Sequence, residues 1–209
     1  MDFNGKVASS KIAELKFQVG GKLSLLNCKI SDNVKKGQLL ASLEKTELQA
    51  YLDRALKQYD LERALFDEKQ KEQLTEYEKR KYQDSLDISI KNVEIAKANL
   101  DATDLFTPIE GMIIRMDSNL KGVNITPSGF VITILGNQSF VFEAEVPEEN
   151  LSQFTIGQTV KVNLKIGKTI AGKVEKIGLE PIKETNYPIE ISLSDQNNLR
   201  LGLTGKVEV

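Results

Sequence analysis

The groups able to do chemistry in this sequence are few, and their types limit what it can be. It contains no histidine, no tryptophan and a single cysteine, Cys28. Histidine is the side chain whose ordinary pKa lets it exchange protons near neutrality, so acid–base work would fall to shifted carboxylates or lysines. Zinc sites built from Cys and His are excluded by the same inventory. Cys28 lies in the apolar stretch LLNCKI and reads as a small core residue. With no second cysteine to pair it within the chain, cysteine usage does not distinguish a redox compartment. Glu143, Glu145, Glu148 and Glu149 form the one acidic group that suggests calcium. Alternation points Glu143 and Glu145 to the solvent face of a strand, and no glycine-bearing ligand loop follows, so surface acid is preferred. The inventory argues against an enzyme, and neither a cofactor nor a metal is expected.

Binding surfaces are a different matter. Lys69, Lys71, Lys79, Arg80 and Lys81 put many cations into one short stretch, but Glu68, Glu72, Glu76 and Glu78 are interleaved with them. Mixed charge is the mark of a solvated helical face, and a net charge of −2 gives no surface built to neutralise phosphates. Nucleic acid is therefore not an expected partner. The apolar and amide residues of the same stretch suit protein docking better: Gln73, Leu74, Thr75, Tyr77 and Arg80 are the candidate contact residues. No segment reaches the roughly 18–20 apolar residues needed to span a membrane. The N-terminal MDFNGKVASS lacks the apolar core of a signal peptide. A cytosolic protein and an exported one without its leader both fit.

The elements that must carry this stretch change character along the chain. In residues 1–43, Ala13, Leu15, Phe17 and Val19 alternate with polar residues as in a half-buried strand, followed by Gly20-Gly21 and the turn signal Ser31-Asp32-Asn33. Residues 44–104 hold no Gly or Pro and are crowded with strong helix formers. Thr46 with Gln49, and Thr75 with Glu78, fit capping boxes. The spacing predicts helices over 46–73 and 76–103, each about 28 residues or ~42 Å long. Leu48, Leu52, Ala55 and Tyr59 line one helix, and Leu86, Val93, Ala96 and Leu100 the other. Stripes this narrow are coiled-coil seams, so an antiparallel hairpin is expected; one uninterrupted helix is the alternative. Beyond it, Phe140, Phe142, Ala144 and Val146 alternate, as do Val160, Val162, Leu164 and Ile166, and Tyr187, Ile189, Ile191 and Leu193. These predict a small β-barrel or sandwich.

The flanks of the helical segment repeat each other. Gly21 is followed after sixteen residues by Gly37, then Leu40 and Leu43; Gly111 is followed after eighteen by Gly129, then Ile132 and Leu135. The four glycines are expected at structural turns. Neither half could bury its apolar face alone, so the two are expected to pair as one sandwich with the helices inserted between them.

The stretches FQVGGKL, VKKGQLLASLEKTELQA, AKANLDATDLFTPIEGMI and VPEENLSQFTIGQTVKV, in this order, resemble the periplasmic adaptors (membrane fusion proteins) of RND and ABC-type efflux or secretion systems. The resemblance covers nearly the whole chain. It implies a mostly β, α+β fold: a lipoyl-like (biotinyl-like) β-sandwich from 17–43 and 105–136, split by an antiparallel coiled-coil hairpin at 44–104. A β-barrel from 1–16 and 137–209 completes it. It also implies a non-catalytic adaptor that links an inner-membrane transporter to partners such as an outer-membrane channel and self-associates into a ring. The location implied is the periplasm or cell envelope, with a leader or anchor absent from this chain. The channel-docking trio of many members, Arg-x6-Leu-x3-Ser, is not found: Arg80, Leu86 and Ser89 have other intervals. The chain stops inside an apparent strand, KVEV, as a fragment would. A second class stays open, a lipoyl or biotinyl carrier component of an acyl- or carboxyl-transfer complex. Its modified lysine would be Lys45, but such a lysine needs an exposed two-strand turn, and here a helix is expected to begin at once.

Overall fold

The structure, a computed structural model, describes residues 1–117, 122–127, 129–182 and 185–209. Residues 118–121 and 128, in the second half-motif, lie outside that description. In chain order the elements are β1 (Asp2–Ser9), β2 (Ile12–Lys16), β3 (Gly21–Leu26), β4 (Asn33–Val34), β5 (Leu39–Leu43), α1 (Thr46–Lys69) and α2 (Glu76–Asp101). They continue with β6 (Asp104–Phe106), β7 (Gly111–Met116), β8 (Asn124–Ile125), β9 (Val131–Gly136) and β10 (Phe140–Pro147). A 3-10 turn at Glu148–Gln153 leads to β11 (Thr159–Leu164), β12 (Lys168–Ile177), β13 (Asn186–Leu193) and β14 (Thr204–Glu208). The chain divides into two compact units, Ala13–Ile134 and Met1–Ile12 with Leu135–Val209. No helix among the described residues is long and apolar enough to cross a membrane.

The first unit is built from the repeat. Its two sheets run β2-β9-β7-β4 and β6-β5-β3-β8. Replacing each strand by its counterpart in the other half (β2 by β6, β3 by β7, β4 by β8, β5 by β9) turns one order into the other. Each sheet therefore draws strands from both halves. The short strands are exchanged: Val34 pairs with Gly111, and Ile125 with Gly21. Matching positions fill the space between the sheets, among them Leu23 and Ile113, Val34 and Ile125, and Leu40 and Ile132, all buried. Phe17 and Phe130 lie against each other with ring centroids 5.9 Å apart. Because β2 belongs to this sheet, residues 13–16 fall in the sandwich unit and not with the barrel.

Of the four glycines expected at turns, Gly37 has the positive φ (+79°) that a turn between β4 and β5 requires. Gly129 closes a tight turn, its N–H bonded to the Thr126 carbonyl at 2.9 Å. Gly21 and Gly111 are corrections: they open β3 and β7, where strands of the two halves meet. Spacing shows where glycine recurs, but not whether a turn or a strand contact uses it.

The helices occur as a hairpin, not as one rod. Each is the other's principal packing partner. The half-buried residues of α1 are Leu48, Leu52, Ala55, Tyr59, Glu62, Phe66 and Lys69, a strict alternation of four- and three-residue steps. On α2 the same steps run through Tyr82, Leu86, Ser89, Val93, Ala96 and Leu100. The Thr75 box forms in full: the Thr75 hydroxyl accepts the Glu78 N–H and the Glu78 carboxylate accepts the Thr75 N–H. The Thr46 box does not form. Lys45 is the N-cap and lacks a side-chain cap bond, while Gln49 donates to Asp53. Helix α1 stops at Lys69, four residues short of the expected end. Past Lys69 the Lys71 and Glu72 N–H groups bond three residues back, to the Glu68 and Lys69 carbonyls, which tightens the last turn and ends the helix. Residues 70–75 supply the reversal.

The second unit is a closed barrel, β1-β10-β13-β12-β11-β14. Alternation delivers Phe142, Ala144 and Val146, Val160, Val162 and Leu164, and Ile189, Ile191 and Leu193 to its core. Ile166, expected to continue that series, is exposed, because β11 ends at Leu164 and the chain turns at Gly167. Glycine at position 5 lets β1 approach β10: a methyl group there would strike the Glu143 carbonyl and the Phe142 ring.

Leu86 is the one large apolar side chain of the hairpin that is buried, at 6% exposure. Leu86→Asp places an unpaired charge in the seam and should cost about 2–4 kcal/mol. The helical circular-dichroism signal should melt earlier, while hydrogen exchange of barrel amides stays unchanged. A uniform rise in exchange over both units would contradict a hairpin that stands on its own seam.

Candidate functional site

Two places on the hairpin concentrate polar and apolar groups: its base and its tip. At the base, β5 and β6 pair, with Ser42 opposite Asp104 and Leu39 opposite Phe106. Asp104 accepts from Lys45 Nζ and Ser42 Oγ, each at 2.6 Å. Burial alone would raise its pKa, but the hydrogen bonds from Lys45 and Ser42, with the lysine's charge, outweigh it and hold the carboxyl below its ordinary 3.8. The first residue before α1 and the strand after α2 are thereby tied together. Lys45 is not on a two-strand turn, and its ammonium is engaged, so the geometry a swinging-arm carrier needs is missing at this residue.

At the tip, α1 unwinds through Lys71 and Glu72, whose N–H groups bond to the carbonyls of Glu68 and Lys69. The Leu74 N–H then donates to the Glu72 carbonyl at 3.1 Å, and Thr75 is extended at the start of α2. Glu78 is held ionised below its ordinary value, first by the Thr75 N–H and then by the Thr75 hydroxyl. Lys69 pairs with Glu72 and Lys79 with Glu76, both exposed pairs near 2.9 Å. Pairs of this kind contribute little to stability.

A cleft of about 950 Å³ opens here. Of the residues picked out in the sequence, Leu74, Tyr77 and Arg80 line it. Gln73 is exposed beside it, and Thr75 is occupied by the cap. Sequence reasoning missed Phe66, Lys69 and Tyr82, which also line it. The signal was available: Phe66 and Tyr82 continue the four-three spacing of the two seams beyond the residues first assigned to them. Tyr77 is 79% exposed. Leu86 and Ser89 are buried in the seam, and the Ser89 hydroxyl donates to the Leu86 carbonyl at 2.7 Å. They present nothing to a partner.

Elsewhere chemistry is sparse. Cys28 is buried, and burial first, then Asp32, pushes its thiol up to about 11. Among the described residues no group of three or more Cys, Asp or Glu side chains is arranged to hold a metal ion.

The site thus sits on a sandwich of two exchanged half-motifs, interrupted by a helical hairpin and continuous in sequence with a six-stranded barrel. The family model described as RND MFP, barrel-sandwich hybrid domain, matches residues 11–179, and the chain belongs to this membrane fusion protein family, the adaptors of efflux systems. Among solved structures, the MacA-MexA chimeric protein containing the Pseudomonas aeruginosa MexA α-hairpin domain superposes with a TM-score of 0.81 at 20% identity, covering 99% of this chain and 80% of that one. The membrane fusion protein Spr0693 from Streptococcus pneumoniae R6 gives 0.77 at 21% identity, covering 100% and 99%. MacA from Actinobacillus actinomycetemcomitans gives 0.65 at 17%, covering 100% and 78%. At these identities the likeness is one of fold. A sequence search of curated proteins found no match.

The base tie yields a pH prediction. A carboxyl with a depressed folded pKa stabilises above its unfolded value and loses that contribution as pH falls through the folded one. Asp104→Asn should cost about 1–2 kcal/mol at neutral pH, with Lys45's solvent exposure limiting the ion-pair share. The gap between variant and wild type should close as pH drops through the folded pKa, below 3.8. Denaturant melts of both proteins across that range check it.

Proposed function

We propose that this chain is a non-catalytic adaptor that links an inner-membrane efflux or secretion transporter to partner proteins such as an outer-membrane channel. In this reading it works in the periplasm or cell envelope, anchored there in the full-length protein, and self-associates into a ring around the cargo path. The hairpin tip is its docking surface, with Leu74, Tyr77 and Arg80 as the contacts and Gln73 and Thr75 beside them. One observation carries the assignment. Tyr77 stands almost fully exposed at a cleft that also holds Leu74, Phe66 and Tyr82, in a place where folding gains nothing from an exposed aromatic. Aromatic and arginine side chains in a pocket are what an interface uses as anchors. The sandwich, in the same unit as the hairpin, supplies the base from which the tip is presented.

Leu74→Asp with Tyr77→Asp in the full-length protein tests this in cells. Neither residue is fully buried, so folding and abundance should be unchanged. A docking surface tolerates buried, unpaired charge poorly, so transport should fall by about ten-fold or more, equivalent to ~1.4 kcal/mol of lost docking. Crosslinking to the transporter should persist. Wild-type transport in the double variant would remove the tip from the mechanism.

A further inference from the structure

Among the described residues one buried side-chain polar atom is without a hydrogen-bond partner, the Thr133 hydroxyl. Thr133 is 5% exposed and sits in β9 between Ile132 and Ile134, which fill the sandwich core. Strand alternation therefore turns its side chain to the outer face of the sheet. In that sheet β9 runs between β2 and β7. The Gly136 N–H bonds to the Lys11 carbonyl, a register that sets Glu14 opposite Thr133 on one side. The Asp117 N–H bonds to the Val131 carbonyl, which brings Arg115 beside Thr133 on the other.

Arg115 and Glu14 reach across β9 and meet over Thr133. Arg115 Nη2 donates to Glu14 Oε1 at 3.3 Å, and Lys16 Nζ lies 3.5 Å from Glu14 Oε2. Leu15 packs on the core, so Glu14 and Lys16 share the outer face with Thr133. Each oxygen of the Glu14 carboxylate is engaged by a cation, and the hydroxyl beneath the arch is left unmet. A buried hydroxyl without a partner costs stability, and an exposed ion pair returns little of it. The side chains of Arg115, Lys16 and Glu14 are 65%, 45% and 48% exposed, so solutes reach them and Glu14 is free to swing aside. A planar carboxylate has two oxygens for three donors that approach from different sides. A tetrahedral oxyanion has an oxygen for each.

We propose that this place on the sandwich binds a phosphate-type oxyanion, held by the Arg115 guanidinium, the Lys16 ammonium and the Thr133 hydroxyl. Glu14 is the internal group that the anion displaces. The guanidinium fork matches two phosphate oxygens, and the lysine adds a point charge. The Thr133 hydroxyl supplies the third donor, which is uncovered only when Glu14 moves. In the free protein Glu14 holds the affinity down, both by occupying the two cations and by repelling a like charge. The ligand chemistry is that of free phosphate or of a phospholipid headgroup. The site uses β2, β7 and β9, none of which carries a residue of the hairpin tip, so it stands or falls apart from tip docking.

The test adds inorganic phosphate to the 209-residue chain at constant ionic strength and follows the amide chemical shifts of β2, β7 and β9. Glu14→Gln should bind phosphate about ten-fold or more tightly than wild type, because it frees both cations. Adding Arg115→Gln or Thr133→Val to Glu14→Gln should weaken binding again, by about five-fold or more. Thr133→Val removes the unmet hydroxyl at nearly constant volume, so its melting temperature should not fall and a lost response is not lost folding. A second arm mixes the same chains with phosphatidylcholine vesicles carrying phosphatidic acid. Cosedimentation of Glu14→Gln that Thr133→Val reverses assigns the headgroup as the source, and a response to inorganic phosphate alone assigns the free anion. A Glu14→Gln chain that binds phosphate no more tightly than wild type would overturn the proposal. So would equal binding with and without Thr133→Val, since that is charge attraction without a site.

Discussion

The structure depends on one closure: the chain must return after α2 to the strand it left before α1. Residues 39–42 pair with residues 104–106 in adjacent strands of one sheet. Neither half-motif covers its own apolar face, since each sheet takes strands from both. A segment of some sixty residues can be inserted at that point only if its ends meet, and two antiparallel helices of 24 and 26 residues satisfy this. The tie from Lys45 and Ser42 to Asp104 fixes the meeting point with charge-assisted hydrogen bonds. The seam keeps the two helices together beyond it.

This arrangement separates folding from function. The apolar residues that hold the sandwich and the barrel are buried within those units. The hairpin buries little, so its stability is local and its surface is free to be written for partners. At the tip that surface leaves Tyr77 exposed.

Much of this was legible in the residues, for reasons that differ by element. The two seams and the Thr75 box follow from short-range rules, spacing and capping, that tertiary contacts do not override here. The barrel strands follow from period-two alternation, which fails at Ile166 because a turn begins there. The exchange of β4 and β8 between halves was not legible: two-residue strands carry no periodicity, and their partners are set by the opposite half-motif. The end of α1 was missed because residues 70–73 are Gln, Lys, Glu and Gln, good helix formers whose types do not mark the tightened turn that ends the helix. At the tip, Leu74, Tyr77 and Arg80, expected from type and position to contact a partner, line the cleft, and Phe66 and Tyr82 beside them were hidden by ending the heptad count too early.

The most direct test of the account is to replace residues 46–103 with a short Gly/Ser turn and follow thermal unfolding by circular dichroism. If the half-motifs pair with each other across an insertion, the shortened chain is all-β and melts cooperatively. Loss of a cooperative transition would show that the helices belong to the core that the sandwich needs to fold.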